Sequence, residues 1–363
     1  MAWVEKRPGG YIGRYRLDGR AKSTTVFKRK RDATEAAEEA ERQGKLGEHI
    51  DRRKGRITVE EWSQRWLDSL HVSPKTRSTY EELLSSLILP TWGRVPLNQV
   101  SLSEVKKWVA NMEGPRGPVS ASRKHAASSQ LVRMLDAAVD EWIILNNPAR
   151  TASGKANYRP SPKRHKAHRY LSHAELEALA LAAGDHGAMI RLAGLTGLRW
   201  GEITALRVRD VDSLHGRITV ERAFSIVGGK KVLGPPKTHE RRTVTFPRSL
   251  GEQLTAQAAG RGKNDLLFST RTGEPLDNAN FSKQILTQAW KMAGIDRLTF
   301  HDLRHTAASL AVQAGGNVKT VQNMLGHASA TMTLDTYAGL FETDAQALAD
   351  KMDAARSAAM VTV

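Results

Sequence analysis

The chain has 363 residues, more than one typical domain, and its 55 lysines and arginines against 38 acidic residues give a net charge of +17. This excess favours a polyanionic partner, most simply nucleic acid, over a basic protein of the ribosome or of the membrane surface. The lack of cysteine excludes disulfides and thiolate metal sites. No apolar run resembles a signal peptide or a membrane span, so we expect a cytoplasmic protein of two or three domains.

The first 55 residues have the pattern of a small β-sheet followed by one helix. Two strand-like runs, residues 11–17 and 23–27, flank an Asp18-Gly19 turn, and a helical pattern covers residues 32–46. Ten cations stand against two acids in residues 1–31, which favours a DNA-binding module over a merely solvated face. The candidate DNA contacts in this module are Arg14, Arg16, Lys28, Arg29, Lys30 and Arg31.

Residues 56–148 read as an all-α bundle of four helices with apolar faces. A capping box formed by Thr58 and Glu61 begins the first helix, and the other helices are expected near residues 74–92, 101–112 and 119–142. Cations near the helix starts could meet phosphates together with backbone N–H groups, although simple helix-surface charge explains them equally well. These candidates are Lys75, Arg77, Arg123 and Lys124.

Residues 149–169 are rich in proline, glycine, serine and positive charge and show no period, so we predict a basic interdomain linker. Lys163 and Arg164 are its candidate DNA contacts. His165 and His168 have no acidic residue or cysteine near them in the sequence, which argues against a metal site.

From residue 170 to 342 the pattern predicts a mixed, mainly α domain with a small antiparallel sheet. Ser172 and Glu175 form a second capping box, and helical patterns continue to about residue 206. Residues 216–227 and 241–247 are strand-like runs joined by a segment rich in glycine, lysine and proline. Helical patterns return from about residue 250, and residues 343–363 are expected to form a tail helix.

Three separated patches of this domain concentrate cations and imidazoles: Arg199 with Glu202, Lys237 in a turn, and His301 with Arg304. Each patch alone is typical of an exposed ion pair or a solvated side chain. Together they suit a phosphodiester, because two guanidinium groups can donate bidentate hydrogen bonds to its non-bridging oxygens. A metal site would need several converging carboxylates, which the pattern does not offer. The set therefore favours phosphoryl transfer without a metal.

In order, spacing and residue type, this set resembles the tyrosine recombinases, the phage integrase family, over about residues 171–340. The resemblance implies that Tyr337 attacks the scissile phosphate, forms a 3′-phosphotyrosyl link and releases a 5′-hydroxyl. Arg199 and Arg304 would clamp the phosphate, and Lys237 would protonate the leaving 5′-oxygen. His301 would accept or orient the tyrosine proton, and His327 would donate to a non-bridging oxygen. Glu202 would order Arg199. The catalytic set is thus Arg199, Lys237, His301, Arg304, His327 and Tyr337.

The resemblance also implies a multidomain α+β protein with an arm-binding domain (1–55), a core-binding helical domain (56–148), the linker (149–169), a catalytic domain (170–342) and a C-terminal tail helix (343–363). The domains of each protomer would form a C-shaped clamp around double-stranded DNA with core-type and arm-type sites. A homotetramer would assemble on two duplexes and proceed through a Holliday junction. No cofactor or metal would be needed. A host DNA-bending protein and a directionality factor are possible partners, no membrane is involved, and the active protein would be nucleoid-associated in a bacterial host. The tail helix would dock on a neighbouring subunit or on its own.

Several alternatives stay open beside an integrase of a phage or other mobile element. A conjugative-transposon integrase is close in chemistry, whereas a resolution-type recombinase usually lacks a separate arm-binding module such as residues 1–55. A related topoisomerase would share the phosphate clamp. A non-catalytic DNA-binding regulator would have similar charge, but the complete catalytic set counts against it.

Overall fold

The computed structural model describes residues 2–17, 20–45, 54–115, 117–151, 154, 169–236, 241–341 and 345–361. The chain forms two compact units, residues 1–165 and 166–363. In the part of the chain that the structure describes, no helix is long and apolar enough to cross a membrane.

The N-terminal module is a three-stranded antiparallel sheet with one helix packed on it, and its strands lie in the order β1-β2-β3. Its elements are β1 (Trp3–Arg7), β2 (Gly10–Leu17), β3 (Arg20–Phe27) and α1 (Lys30–Lys45). Tyr15 of β2 and the small residues Ala33 and Ala37 of α1 are buried, so the helix can lie close to the sheet. Both predicted strands are confirmed, and the predicted turn at Asp18-Gly19 lies outside the described residues.

The helical bundle has its own core, to which four tryptophans contribute: Trp62, Trp66, Trp92 and Trp108. Its elements are α2 (Val59–Ser69), α3 (Pro74–Leu83), α4 (Leu89–Trp92), α5 (Leu102–Ala110), the short pair β4 (Glu113–Gly114) and β5 (Gly117–Pro118), and α6 (Ala121–Asp140). The predicted capping box is confirmed: Thr58 accepts from the backbone of Glu61, and Glu61 accepts from that of Thr58. Between α3 and α4 the helix widens into a π-turn at Leu84–Ile88, just before Pro90, which has no N–H to donate.

The second unit is mainly helical and carries two small sheets. Its strands form a three-stranded antiparallel sheet in the order β10-β7-β6 and a separate hairpin, β8-β9. The helices are α7 (His173–Ala182), α8 (Gly187–Thr196), α9 (Trp200–Thr204), α10 (Gly251–Ala258), α11 (Asn278–Asn280), α12 (Thr287–Met292), α13 (Phe300–Gln313), α14 (Val318–Leu325), α15 (Ala330–Tyr337) and α16 (Ala345–Val361). The strands are β6 (Val211–Asp212), β7 (Arg217–Val220), β8 (Ala223–Val227), β9 (Lys230–Gly234) and β10 (Arg242–Thr245).

One sequence-based expectation about this unit was wrong. Residues 216–227 were expected as one strand, but they form β7 and β8, which belong to different sheets. The break falls at Arg222, which donates two hydrogen bonds to Asp210 at 2.8 and 2.7 Å. Residues 230–234, expected in the connecting segment, pair with β8 to complete a hairpin. This hairpin leads directly to residues 237–240, which lie outside the described residues.

Candidate active site

The first arginine of the predicted set follows a sharp end of helix α8. Gly197 ends this helix in the left-handed region, with φ of +66°. A Cβ on Gly197 would lie 2.5 Å from a methyl group of Leu325, so a larger residue does not fit without movement. Arg199 then caps α9, and its backbone N–H and Nη1 both donate to Glu202 at 3.0 Å. This supports the predicted supporting role of Glu202.

Glu202 is held by a second arginine that the sequence analysis did not select. Nη1 and Nη2 of Arg242 donate to the two carboxylate oxygens at 2.9 and 2.7 Å, while Glu202 itself is only 1% exposed. Burial alone would raise the pKa of Glu202, but the hydrogen bonds and charges of Arg242 and Arg199 lower it below its ordinary value. A buried carboxylate therefore separates two guanidinium groups that would otherwise repel.

Arg242 could have been found from the alternation of β10. Val244 and Phe246 are buried, and with period two Arg242 falls on the same side of the chain. Its guanidinium also lies against Gly326, where a Cβ would come within 2.8 Å of Nε. Arg242 thus contacts both the Arg199–Glu202 pair and the turn that precedes His327.

Arg304, the second arginine of the predicted clamp, is buried on α13. Its Nη1 donates to the carbonyl oxygen of Gly197 at 2.6 Å, which ties α13 to the turn before Arg199. Burial, together with the nearby charge of Arg199, lowers the pKa of Arg304 to about 10. The group therefore remains a cation at neutral pH, and an anionic ligand would relieve the repulsion between the two guanidinium groups.

His327 follows Gly326, which ends α14 in the left-handed region. Its Nδ1 lies 2.9 Å from the hydroxyl oxygen of Thr333 on α15, and its ring stacks almost parallel to that of Tyr337, with 6.4 Å between the centroids. Burial and the charges of Arg304 and Arg199 lower the pKa of His327 to about 4. The imidazole is therefore neutral at pH 7 and can still donate one hydrogen bond.

Tyr337 ends α15, whose N-terminus is capped by Ser329. It is 2% exposed, and burial raises the pKa of its hydroxyl to about 12 although the charge of Arg304 opposes this. The hydroxyl oxygen lies 2.8 Å from Nδ1 of His305 on α13. The sequence pattern favours His301 as the acceptor of the tyrosine proton and does not reveal this contact with His305.

His301 occupies an exposed position at the start of α13, one turn before His305, and the two imidazole centroids are 5.0 Å apart. Lys237 lies outside the described residues, between β9 and β10. The structure therefore brings together Arg199, Glu202, Arg304, His327 and Tyr337, adds Arg242 and His305, and has His301 beside His305. Among the described residues, no three acidic or histidine side chains gather as metal ligands would.

Comparison with known proteins decides the family. The model of the Phage integrase family matches residues 169–343. The integrase of Mycobacterium phage L5 is 30% identical over 305 residues, which cover 82% of this chain and 79% of that protein. The chain belongs to the phage integrase family. This membership confirms the predicted enzyme class, a site-specific tyrosine recombinase that breaks and rejoins DNA.

Other proteins to which this integrase-family chain is similar are also integrases. A putative prophage phiRv2 integrase of Mycobacterium tuberculosis is 31% identical over 285 residues, covering 76% of this chain and 72% of that one. The Tn1549 transposon integrase, solved with a circular intermediate DNA, matches at a TM-score of 0.68 and 22% identity, with 82% of this chain and 99% of that chain covered. A lambda integrase dimer bound to a core site matches at a TM-score of 0.58 and 21% identity, with 92% of this chain and 93% of that chain covered. At these identities, the structures show that the fold is shared.

The predicted DNA contacts of this family member fall into two groups. Lys28, Arg29, Lys30, Arg31, Arg16 and Lys75 are exposed. The others are less exposed and have partners within the protein: Arg14 pairs with Glu5, Arg77 with Asp68 and Glu81, Arg123 with Glu82, and Lys124 with the carbonyl oxygen of Ala110. In the exposed group, Arg31 pairs with the exposed Glu35. Lys163 and Arg164 lie outside the described residues.

Proposed function

We propose that this recombinase integrates and excises a phage or other mobile element by forming a 3′-phosphotyrosyl link at Tyr337. The observation that carries the proposal is the placement of the Tyr337 ring beside His327, with its hydroxyl on an imidazole and Arg304 close by. A tyrosine with a raised pKa is a poor nucleophile alone, so it needs a proton acceptor and an electrophile polarised by cations.

Arg199 and Arg304 hold the non-bridging oxygens of the scissile phosphate in this proposal. Both have backbone or carboxylate partners that fix their position, so little reorganisation is needed when charge develops on phosphorus. His327 donates to a non-bridging oxygen, and its neutral ring adds no positive charge beside the two guanidinium groups. His301, exposed at the start of α13, approaches the phosphate from the solvent side, and Lys237 protonates the leaving 5′-oxygen. No metal, cofactor or ATP enters this scheme.

The remaining cations would hold the DNA. The sheet of the N-terminal module has α1 on one face and carries Arg14 and Arg16 on the other, while the exposed residues 28–31 lie beside it. We assign arm-type sites to residues 1–55, core-type sites to the bundle of residues 56–148, catalysis to residues 170–342, the linker to residues 149–169 and subunit docking to the tail.

We further propose that four copies assemble on a Holliday junction in the cytoplasm, at the nucleoid. A lambda integrase tetramer bound to a Holliday junction shares the fold at a TM-score of 0.56, with 21% identity. A host protein that bends DNA and a directionality factor would act with this assembly.

A nicked substrate built from the DNA that flanks the coding sequence tests the nucleophile. The wild-type protein should form a covalent adduct that survives a denaturing gel, and Tyr337→Phe should bind the DNA without forming one. Tyr170→Phe is a matched control, because Tyr170 packs against the same small core as Tyr337. An adduct that persists in Tyr337→Phe and vanishes in Tyr170→Phe would assign the nucleophile to Tyr170 instead.

A further inference from the structure

Two imidazoles lie on one face of α13, and they differ in depth. His301 and His305 are four residues apart, which places them about 6 Å apart along the helix axis and on the same side. His301 is exposed, whereas His305 is 8% exposed. Arg304, the buried half of the phosphate clamp, is the immediate neighbour of the deeper imidazole in the sequence.

The hydroxyl group of Tyr337 meets the deeper of the two rings. Its oxygen is 2.8 Å from Nδ1 of His305, a normal distance for a hydrogen bond, and the two ring centroids are 5.6 Å apart. This contact joins α13 to the last residue of α15. It therefore forms only when both helices pack as they do in the folded catalytic unit.

We propose that His305 is a further catalytic residue, which accepts the proton of Tyr337 when the tyrosine attacks DNA. This inference rests on the proposed function, because it presumes that Tyr337 is the nucleophile. The role of proton acceptor, which the sequence pattern gave to His301, thereby passes to His305, whose ring contacts the reacting oxygen. His301 is then left to act at the phosphate from the solvent side.

Cleavage exchanges one bond at phosphorus and transfers two protons. A lone pair of the Tyr337 oxygen forms the new bond to phosphorus, the bond between phosphorus and the 5′-oxygen breaks, and that oxygen receives a proton from Lys237. The proton of Tyr337 passes to Nδ1 of His305, which must therefore carry the lone pair while Nε2 carries the hydrogen. In the rejoining step the incoming 5′-hydroxyl gives its proton to Lys237, and His305 returns its proton to the tyrosine oxygen.

The surroundings explain why an acceptor in direct contact is needed. Tyr337 is buried against His327 and Arg304, with Tyr170 nearby, so water has little access to its hydroxyl. Burial raises the pKa of Tyr337 to about 12, so phenolate is scarce at neutral pH. An imidazole within hydrogen-bond reach removes the proton as the bond to phosphorus forms, and such catalysis is worth about 100-fold or more in rate.

Single-turnover formation of the covalent adduct, measured from pH 7.5 to 9.5, tests the proposal. The matched variants are His305→Asn, His301→Asn and His186→Asn, the last removing a half-buried imidazole that packs against Phe281 at the far end of α8. At pH 7.5 His305→Asn should react roughly 100-fold more slowly than wild type. Its rate should then rise about tenfold per pH unit, because the phenol must ionise unaided. His186→Asn should follow the wild type, whose rate should be nearly flat.

The substrate separates the two sides of the reaction. A 5′-bridging phosphorothiolate has a leaving group that needs no proton, so it should restore the rate of Lys237→Ala but not that of His305→Asn. A steep pH slope in His301→Asn, with a flat profile in His305→Asn, would assign the acceptor to His301 and overturn the proposal. Failure of the wild type to form any adduct would instead overturn the proposed function.

A measurement without any substitution covers the case in which His305→Asn does not fold. In protein labelled with ¹⁵N-histidine, the nitrogen shifts distinguish a ring nitrogen that accepts a hydrogen bond from one that carries hydrogen. The proposal requires Nδ1 of His305 to be the accepting nitrogen in the resting protein. A hydrogen on Nδ1 would mean that His305 cannot take the tyrosine proton, and the proposal would fall.

Discussion

The cations of the catalytic unit and those of the N-terminal module differ in what holds them. Arg304 and Arg242 are largely buried, and each is tied to a named oxygen of the protein. Residues 28–31 are exposed, and Arg31 pairs with the exposed Glu35, one helical turn away on α1. The first group has fixed positions without DNA, whereas the second can adapt to it.

This difference matches two physical tasks. Stabilising a five-coordinate phosphorus requires charges that do not move during the reaction, and burial strengthens each of them. Holding a DNA backbone requires cations that can approach the phosphates and displace the counterions bound to DNA. Exposed side chains are best suited to this task. Substitutions in the two groups should therefore affect different measurements: cleavage rate for the buried group and salt-dependent affinity for the exposed group.

The largest effect is expected at Arg304. Replacing it by alanine removes one side of the proposed phosphate clamp, so adduct formation should fall by about 100- to 1,000-fold. DNA affinity in a gel-shift assay should change little, because the exposed cations remain. Arg304→Lys keeps the charge but loses the fork geometry and should recover only part of the rate. A variant that cleaves normally would show that Arg304 serves the fold alone.

Arg242 should have the next largest effect, and it should act through Glu202. In Arg242→Ala the buried carboxylate keeps Arg199 but loses its bidentate partner, so Arg199 should be less well positioned. We expect adduct formation about 10- to 100-fold slower and the free energy of unfolding about 1–3 kcal/mol lower. Denaturant unfolding and single-turnover cleavage measure the two effects.

Arg242→Lys can separate position from stability. It retains the charge opposite Glu202 with fewer donors, so most of the stability should return. The rate should return less fully, because one ammonium group cannot hold both carboxylate oxygens as the guanidinium does. Equal recovery of rate and stability would argue that Arg242 affects cleavage through stability alone.

For the exposed group, replacing all four residues 28–31 by glutamine tests whether these cations contact DNA. If each of the four contacts one phosphate, the negative slope of log affinity against log salt should become less steep by about 3.6 at arm-type sites. Cleavage of a core-site substrate should stay at the wild-type rate. An unchanged salt slope would mean that these cations do not contact DNA.

Lys75 and Arg77 provide a matched pair within one helix, because each carries one positive charge. Lys75 is exposed, while Arg77 donates to Asp68, Glu81 and the carbonyl oxygen of Leu67. Lys75→Ala should make the slope of log affinity against log salt less steep by about 0.9 and leave the free energy of unfolding unchanged. Arg77→Ala should lower the free energy of unfolding, because three hydrogen bonds are lost, and leave the slope unchanged. The reverse result would make Arg77 the DNA contact.

Much of this structure follows from local sequence signals. The capping boxes at Thr58 and Ser172 depend on residues three apart, and both formed as predicted. Gly326 ends α14, and Ser329 begins α15, for equally local reasons. The residues of the proposed phosphate clamp could be selected because their types suit a phosphodiester and their order resembles that of a known family.

The missed features depend on tertiary packing. Whether His301 or His305 meets Tyr337 is decided by how α15 packs on α13, and the sequence of either helix does not contain that information. Glu202 has a local partner in Arg199 but also a distant one in Arg242, 40 residues away. The split of residues 216–227 into β7 and β8 likewise coincides with a contact to a distant residue, Asp210, which accepts from Arg222.

The smallest expected effect is the contribution of His327 to the pH dependence of the free energy of unfolding. Its pKa is lowered to about 4 from an unfolded value near 6.5, so the unfolded chain binds the proton more tightly. The stability that this provides is present above about pH 6.5 and is lost as the pH falls towards 4. Because the ring is partly exposed, solvent screening should limit the loss to about 1 kcal/mol.

Comparing His327→Gln with the wild type isolates this contribution, because every other titrating group is shared. The difference in the free energy of unfolding between them should shrink as the pH drops from 7 to 4.5. His186 is the matched control, since burial also lowers its pKa but it lies outside the phosphate site. Adding a DNA phosphate should raise the pKa of His327 by offsetting Arg199 and Arg304, and leave that of His186 unchanged. Equal shifts at both histidines would indicate a general effect of DNA on the protein, and no shift at His327 would place the phosphate elsewhere.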